Sequence, residues 1–252
     1  MKVIINIATH GDEKIGVAVA KNIEKLNIDK NTLAIQIANM RAFRLNKRYI
    51  DQDLNRSFGG KKDGNYEERR AYELSPVIRS ADLVIDIHST TSSSKDAVIV
   101  TKLDKKTLEY VKAIQPKYVL IMNATKNNAL ISQAKIGIAF EYGKDKDQAT
   151  IRKTTFGIKR LLNYLGIINT KIENRKVDAE YFEVGSIVPK PNGFKLIKGI
   201  KNYKLIKKGS VYAAKKDKEL RAKSDFYPIL FGEKKYENFF GFKGRKIKIP
   251  KH

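Results

Sequence analysis

The chain has 252 residues, 42% of them hydrophobic, with 51 Lys and Arg against 27 Asp and Glu for a net charge of +24, and it has no cysteine. That length supports one large domain, or one domain with a smaller appendage; no apolar run reaches the roughly 18 residues of a membrane span, and disulfides and thiolate metal sites are excluded. The basic residues spread along the whole chain, densest from Lys195 to Lys251, which fits a solvated Lys-rich surface that attracts small anions better than it fits a nucleic-acid interface.

In chain order, Val3 to Ala8 reads as a strand, and it meets Thr9 and His10 too early for a signal peptide, so a cytoplasmic protein without membrane contact is expected. Glu13 to Leu26 carries Ile15, Val19, Ile23 and Leu26 at helical spacing, and Leu33 to Ala38 is a second strand. Further apolar runs at Asp82 to His88, Ala97 to Thr101, Tyr118 to Met122 and Ile136 to Tyr142 alternate with helical patterns at Tyr66 to Ser80 and Asp104 to Ile114. A long helix is expected over Gln148 to Leu165, stopped by Gly166. This alternation predicts an α/β domain over residues 1–168, with a mixed, largely parallel central sheet covered by helices on both faces. From about residue 170 short alternating runs with Gly, Pro and Asn punctuation predict a smaller β-rich C-terminal domain over residues 169–252.

The chemistry-bearing residues cluster at strand ends. Of three histidines, His252 is terminal, while His10 closes the first strand in Thr-His-Gly-Asp-Glu and His88 closes Val84-Ile85-Asp86-Ile87-His88. Gly11 lets the chain turn so that His10 and Glu13 converge, at the place where open α/β sheets bind ligands. Two imidazoles and one carboxylate leave a fourth position for water, the pattern of a catalytic metal; spacing alone admits zinc, manganese, iron or cobalt. Taken singly, His-x-x-Glu fits an exposed loop better than a ligand pair; it is the two histidines at strand ends together that favour a metal. The segment Lys47 to Phe58 is polar and lacks helical periodicity, and there Asn55 and Arg56 suit a substrate carboxylate, since a guanidinium fork binds carboxylates through two bonds. Glu141 ends an apolar strand, a placement that burial disfavours unless the carboxylate is paired or functional, and it is a candidate general base.

Together these segments resemble the succinylglutamate desuccinylase and aspartoacylase family, relatives of the zinc carboxypeptidases. His10-Gly-Asp-Glu13 is similar to its His-Gly-x-Glu ligand motif, Arg48-Tyr-Ile-Asp-x-Asp-Leu-Asn-Arg56 to its substrate loop, and Asp86-Ile-His88 to its Asp-x-His strand; Glu141-Tyr-Gly resembles the catalytic Glu segment, and Tyr227-Pro228 with Glu233-Lys-Lys-Tyr236 more loosely its C-terminal substrate segment. The resemblance implies a carboxypeptidase-like fold whose C-terminal part narrows the active-site channel, and one zinc per chain on His10, Glu13 and His88. It further implies Glu141 as base, Arg48 as oxyanion stabiliser, Asn55 and Arg56 on the substrate carboxylate, Tyr236 as a substrate contact, and Asp53 as an orienting acceptor for His10. Its activity would be deacylation of a small anionic N-acyl amino acid; a carboxypeptidase acting on a peptide end, and a nucleic-acid-binding or catalytically silent protein on the same fold, are the alternatives. One departure is evident: the family's further substrate-binding arginine, about ten residues before the catalytic glutamate, is absent from Asn128 to Lys135. A second substrate carboxylate then has only Lys135 or Lys126 as a partner.

Overall fold

A computed structural model describes residues 1–90, 95–122, 128–172, 177–232 and 237–249. Its main sheet has nine strands among the described residues, in the order β11-β12-β7-β5-β4-β6-β3-β1-β2. Four strands at one end of it are β1 (Val3–Ile7), β2 (Leu33–Ile37), which is the edge, β3 (Leu83–His88) and β6 (Gly137–Glu141), all mutually parallel through the pairs β2-β1, β1-β3 and β3-β6. β1, β3 and β6 are buried along their full length, which explains why each reads as a near-continuous apolar run and not as an alternation. Beyond β6 the sheet becomes mixed. β4 (Ala97–Val100) is antiparallel to β6, and β5 (Tyr118–Met122) runs parallel to β4.

Alternate residues of these strands feed two cores on opposite faces. Ile5, Ile7, Ile85, Ile87, Ile138 and Phe140 pack with the apolar stripes of α1 (Ile15–Glu24), α4 (Lys105–Ile114) and α5 (Gln148–Tyr164). On the other face Ile4, Val84, Ala139 and Leu120 pack with Ala71, Leu74 and Ile78 of α3 (Tyr66–Ser80). The starts of α3 and α4 are specified locally: Asn65 and Glu68 form a reciprocal capping box on α3, and the Asp104 carboxylate accepts from Thr107 N at 2.9 Å on α4. Helix α5 ends at Gly166, which adopts φ +68°. A short helix, α2 (Met40–Arg44), follows β2, with Asn39 as its cap.

After α5, β7 (Glu180–Pro189) pairs in parallel with β5, and β12 (Phe239–Ile247) and β11 (Tyr227–Ile229) add to it as antiparallel strands. The C-terminal segment therefore extends the main sheet by three strands. It also builds a small antiparallel sheet from β8 (Lys195–Leu196), β9 (Val211–Lys215) and β10 (Lys218–Arg221). Val188, Ile206, Phe226, Phe231 and Phe240 form a separate cluster there. No helix among the described residues is long and apolar enough to cross a membrane.

Candidate functional site

Neighbouring β2 and β3 lie on opposite sides of β1, and α1 and α3 accordingly pack on opposite faces. This is a topological switch point, where a crevice opens outside the carboxyl ends of the strands. The candidate residues lie there. Because side chains alternate along a strand, Asp86 and His88 of β3 share the face of α3 with Ala139 and Glu141 of β6, and His88 pairs in register with Glu141.

Ala8, at φ 52°, turns the chain sharply off β1, so that Thr9 and His10 are buried and not carried on along the strand. Gly11 follows in the tightest spot: a Cβ there would stand 2.2 Å from the carbonyl carbon of Ala42. The turn is tied down by Gly11 N donating to Arg48 O at 3.1 Å and by Lys14 Nζ donating to Gly11 O at 2.8 Å. Glu13 consequently sits in the loop ahead of α1, and its carboxylate lies between the two imidazoles, with Oε1 2.8 Å from His10 Nδ1 and Oε2 3.2 Å from His88 Nδ1. Ser89 N also donates to Oε2, at 2.9 Å. All three side chains are buried, and their ligand atoms lie within 4.8 Å of one another.

The far ring nitrogens are held by carboxylates. His88 Nε2 meets Asp86 Oδ2 at 2.7 Å, and Thr9 Oγ1 donates to the other oxygen of Asp86 at 2.7 Å. His10 Nε2 lies 3.1 Å from Asp53 Oδ1 and 2.9 Å from Arg48 Nη2. A guanidinium only donates, so Nε2 cannot serve both. With the proton on Nε2 the bond goes to Asp53, Nδ1 is left free as a ligand, and Arg48 is held by Asp53 Oδ2 at 3.3 Å and by Glu13 Oε1 at 3.6 Å.

Burial acts to lower both histidines, but the Glu13 charge with the Asp53 bond raises His10, and Asp86 with Glu13 raises His88 well above its ordinary value. Burial acts to raise Glu13, and the charges of His10 and His88 override it, holding it well below the carboxylate range. Asp53 is likewise depressed against its burial, by His10 and then Arg48 and Arg56. The arrangement fits a divalent cation. Glu13, Asp53, Asp86 and Glu141 bring four carboxylates together, whereas Arg48 and Arg56 supply two positive charges when the imidazoles are neutral, as ligands must be.

One cleft of about 80 Å³ is lined by His10, Arg48, Asp53, Asn55, Arg56, His88 and Glu141, so every site residue expected from the sequence and described in the structure borders or contacts it. Asp53 caps a single 3-10 turn, Leu54–Arg56, by accepting from Asn55 N at 2.9 Å, and Asn55 Oδ1 accepts from Leu130 N at 2.8 Å. The amide NH₂ of Asn55 has no partner among the described residues and can donate to a ligand. Arg56 is half-exposed, 3.7 Å from Asp53. Tyr236 and Lys126 lie outside the described residues. Lys135 is not a substitute for the absent arginine: its ammonium pairs with Asp82 at 3.1 Å, ahead of β3 and so at the opposite end of the sheet.

Sequence reasoning passed over the apolar wall of the cleft, formed by Ile99, Met122, Ala129, Ile131, Leu230 and Phe242. Ala129 and Ile131 occupy the stretch in which an arginine was sought. Leu230 adopts φ 53°, a conformation costly for a branched residue and common at functional sites. Sequence reasoning also assigned no role to Asp86, although a carboxylate two positions before a histidine on a wholly buried strand must face the same way and find a partner.

A sequence model of the succinylglutamate desuccinylase/aspartoacylase catalytic domain matches residues 1–165. An N-acyl-aromatic-L-amino acid amidohydrolase (carboxylate-forming) of Xenopus laevis is 28% identical over 213 residues, covering 73% of this chain and 70% of its own length. A probable aspartoacylase of Trichodesmium erythraeum is 30% identical over 165 residues, 56% of this chain, and the match spans 55% of that relative. Murine aminoacylase 3 shares the fold with a TM-score of 0.83 at 19% identity, over 98% of this chain and 94% of its own. Succinylglutamate desuccinylase of Vibrio cholerae does so with 0.76 at 16% identity, over 100% and 83%. With the family model covering well over half of the chain and its motif residues gathered in one crevice, this chain belongs to the succinylglutamate desuccinylase/aspartoacylase family.

Proposed function

We propose that the chain is a zinc-dependent amidohydrolase that removes the acyl group from an N-acyl amino acid bearing one carboxylate and an apolar side chain. The carrying observation is the pairing of the His10, Glu13 and His88 cluster with a cleft wall that is apolar where a second substrate carboxylate would need a cation. Burying an unpaired carboxylate against such a wall costs several kcal/mol. The names of the relatives include an amidohydrolase of N-acyl-aromatic amino acids, which supports the same reading. One zinc per chain would sit on His10, Glu13 and His88, supplying a water of lowered pKa and polarising the amide carbonyl.

The chain's own residues account for the remaining steps. Glu141, opposite His88 in register, takes the proton from the attacking water and returns it to the leaving amine. Arg48, part-buried beside the ligands, donates to the oxygen on which negative charge develops. Asn55, through its free amide NH₂, and Arg56 hold the substrate carboxylate; Tyr236 is a further substrate contact by family resemblance. Carboxypeptidase action on a peptide end, which would use the same ligand cluster and the Asn55 and Arg56 pair, is the alternative reading.

The test is a substrate panel on the zinc-loaded protein. N-acetylphenylalanine and N-acetylleucine are expected to exceed N-acetylaspartate and succinylglutamate by at least tenfold in kcat/KM. Preference for the dicarboxylates would overturn the apolar assignment, and release of C-terminal residues from peptides at a higher rate would replace deacylase by carboxypeptidase.

A further inference from the structure

Glu67 is a wholly buried carboxylate, fully enclosed in the first turn of α3. It lies outside the cleft and belongs to none of the motifs that define the site. Its surroundings are unusual in having a single purpose. Oε1 accepts from Asn39 Nδ2 at 3.1 Å and from Ile50 N at 2.7 Å, while Oε2 accepts from Asp51 N at 2.9 Å and Gln52 N at 3.3 Å. Three consecutive amides of the substrate loop thus converge on one side chain. The first turn of a helix adds its own positive end to the same carboxylate.

Burying a charge is expensive unless its hydrogen-bonding capacity is met, and an apolar residue at this position of α3 would serve the core more cheaply. What the carboxylate accomplishes instead is geometric. The three amides lie between Arg48 and Asp53, and Arg48 Nη2 in turn bonds Asp53 Oδ2 at 3.3 Å beside His10. Two lesser ties reinforce the same stretch: Asp51 Oδ2 accepts from Tyr66 N at 2.9 Å, and Gln52 Nε2 donates to Ser57 Oγ at 2.9 Å. Asn55 has an independent anchor in Leu130 N. Loosening Glu67 therefore releases the stretch between Arg48 and Asp53, while the Arg48 carbonyl stays tied to Gly11 N and the Asn55 end of the loop stays pinned.

We propose that Glu67 is a positioning residue that fixes the substrate loop, and through it Arg48 and Asp53, against the metal ligands. Its effect on turnover rests on the deacylase reading given above; its effect on loop order does not. Glu67→Gln is isosteric, but it replaces one carboxylate oxygen by an NH₂ group that faces N–H donors whichever way the amide is turned. Asn39 cannot easily flip in compensation, since its oxygen caps α2 by accepting from Ala42 N at 3.3 Å.

The experiment combines steady-state kinetics with hydrogen exchange read on the peptide spanning residues 48–56, using the zinc-loaded full chain. In the wild type that peptide is expected to hold slowly exchanging amides, as sheet segments do. In Glu67→Gln its exchange should quicken at least tenfold, with the β1 peptide unchanged, and kcat should fall at least tenfold while KM moves less than threefold. A merely structural role would lower the melting temperature without touching kcat of the folded protein. If Glu67→Gln does not fold, Glu67→Asp carries the test, its carboxylate drawn back by one methylene: several-fold lower kcat with faster exchange supports the assignment, and wild-type values for both overturn it. An unprotected loop in the wild type, or a folded Glu67→Gln with wild-type kcat, overturns it as well. If the wild type hydrolyses no N-acyl amino acid, the deacylase reading fails on its own and the exchange measurements still decide the role of Glu67.

Discussion

Asp86 and His88, two residues apart on β3, are joined by a 2.7 Å contact between Oδ2 and Nε2 within a strand that is buried throughout. The strand period places both side chains on one face, and the contact keeps the proton on Nε2 so that Nδ1 is turned toward Glu13. Removing one such outer partner typically weakens metal affinity about 10–100-fold. Asp86→Asn keeps the volume and can still accept from Thr9, so it is expected to fold normally and to lose zinc at correspondingly lower chelator concentration. Chelator competition that matches the wild type would show that Asp86 does not orient the ligand.

Glu141→Gln separates binding from chemistry. The carboxylate stands opposite His88 in the β3-β6 register, beside the ligand cluster and not within it. Zinc content should therefore remain near one per chain, while turnover falls by roughly 10²–10⁴-fold for loss of a proton-transfer group. Elemental analysis beside kcat measures both. Undiminished turnover would move the base elsewhere.

Arg56 is half-exposed and, among the described residues, its guanidinium is held by a 3.7 Å approach to Asp53, so it contributes little to the fold and can meet a substrate anion. A hydrogen bond to a charged group contributes about 1.5–3 kcal/mol, which corresponds to a rise in KM of roughly 10–150-fold in Arg56→Ala. The melting temperature should hardly move. Unchanged KM with full turnover would defeat the carboxylate-binding role.

Much of this site is legible because ligands sit where apolar runs stop. His88 and Glu141 each end a strand, His10 lies just past the sharp turn at Ala8 that follows β1, and Gly11 marks the turn between His10 and Glu13. The distant contributions are harder to read. Leu230, just past β11, and Phe242 of β12 reach the cleft from the part of the sheet joined through β7, and no local pattern announces pairing between Glu180–Pro189 and Phe239–Ile247 across such a separation. Glu67 is hidden for another reason. In Asn65-Tyr-Glu-Glu68 the capping box explains Glu68, and a second first-turn glutamate passes for an exposed helix-dipole residue. Only the three-dimensional course of residues 50–52 shows that it is enclosed.

Gly11 tests how tightly the ligand loop is built. An added Cβ would lie 2.2 Å from the Ala42 carbonyl carbon and 2.3 Å from Phe43 N, both backbone atoms of α2. Backbone cannot yield as a side-chain tip does, so Gly11→Ala must displace either α2 or the His10 turn. Overpacking of this kind costs about 1–3 kcal/mol. A lower melting temperature together with weakened zinc binding is expected, and a variant with wild-type values for both would mean that the turn has slack.

The proton and the metal compete for the same atoms, and the sign of the pH dependence follows. In the metal-free protein His88 and His10 titrate above 6.5, because Asp86, Asp53 and Glu13 outweigh the effect of burial. Groups raised in this way contribute stability that is fully present below 6.5 and is lost as pH rises through their folded values. Glu13, depressed by both imidazoles, contributes stability above 4.5 that is lost on acidification through its folded value. Metal-free protein should therefore be most stable on the acidic side of neutrality and should weaken toward alkaline pH. Zinc must displace the Nδ1 protons, so its affinity rises over the same interval. The gain in melting temperature on adding zinc is thus expected to grow from pH 6 to pH 8, accompanied by proton release measurable in buffers of different ionisation enthalpy. A zinc-induced shift that is constant across that range would show that the imidazoles are already free of protons, and the charge balance inferred for the cluster would be wrong.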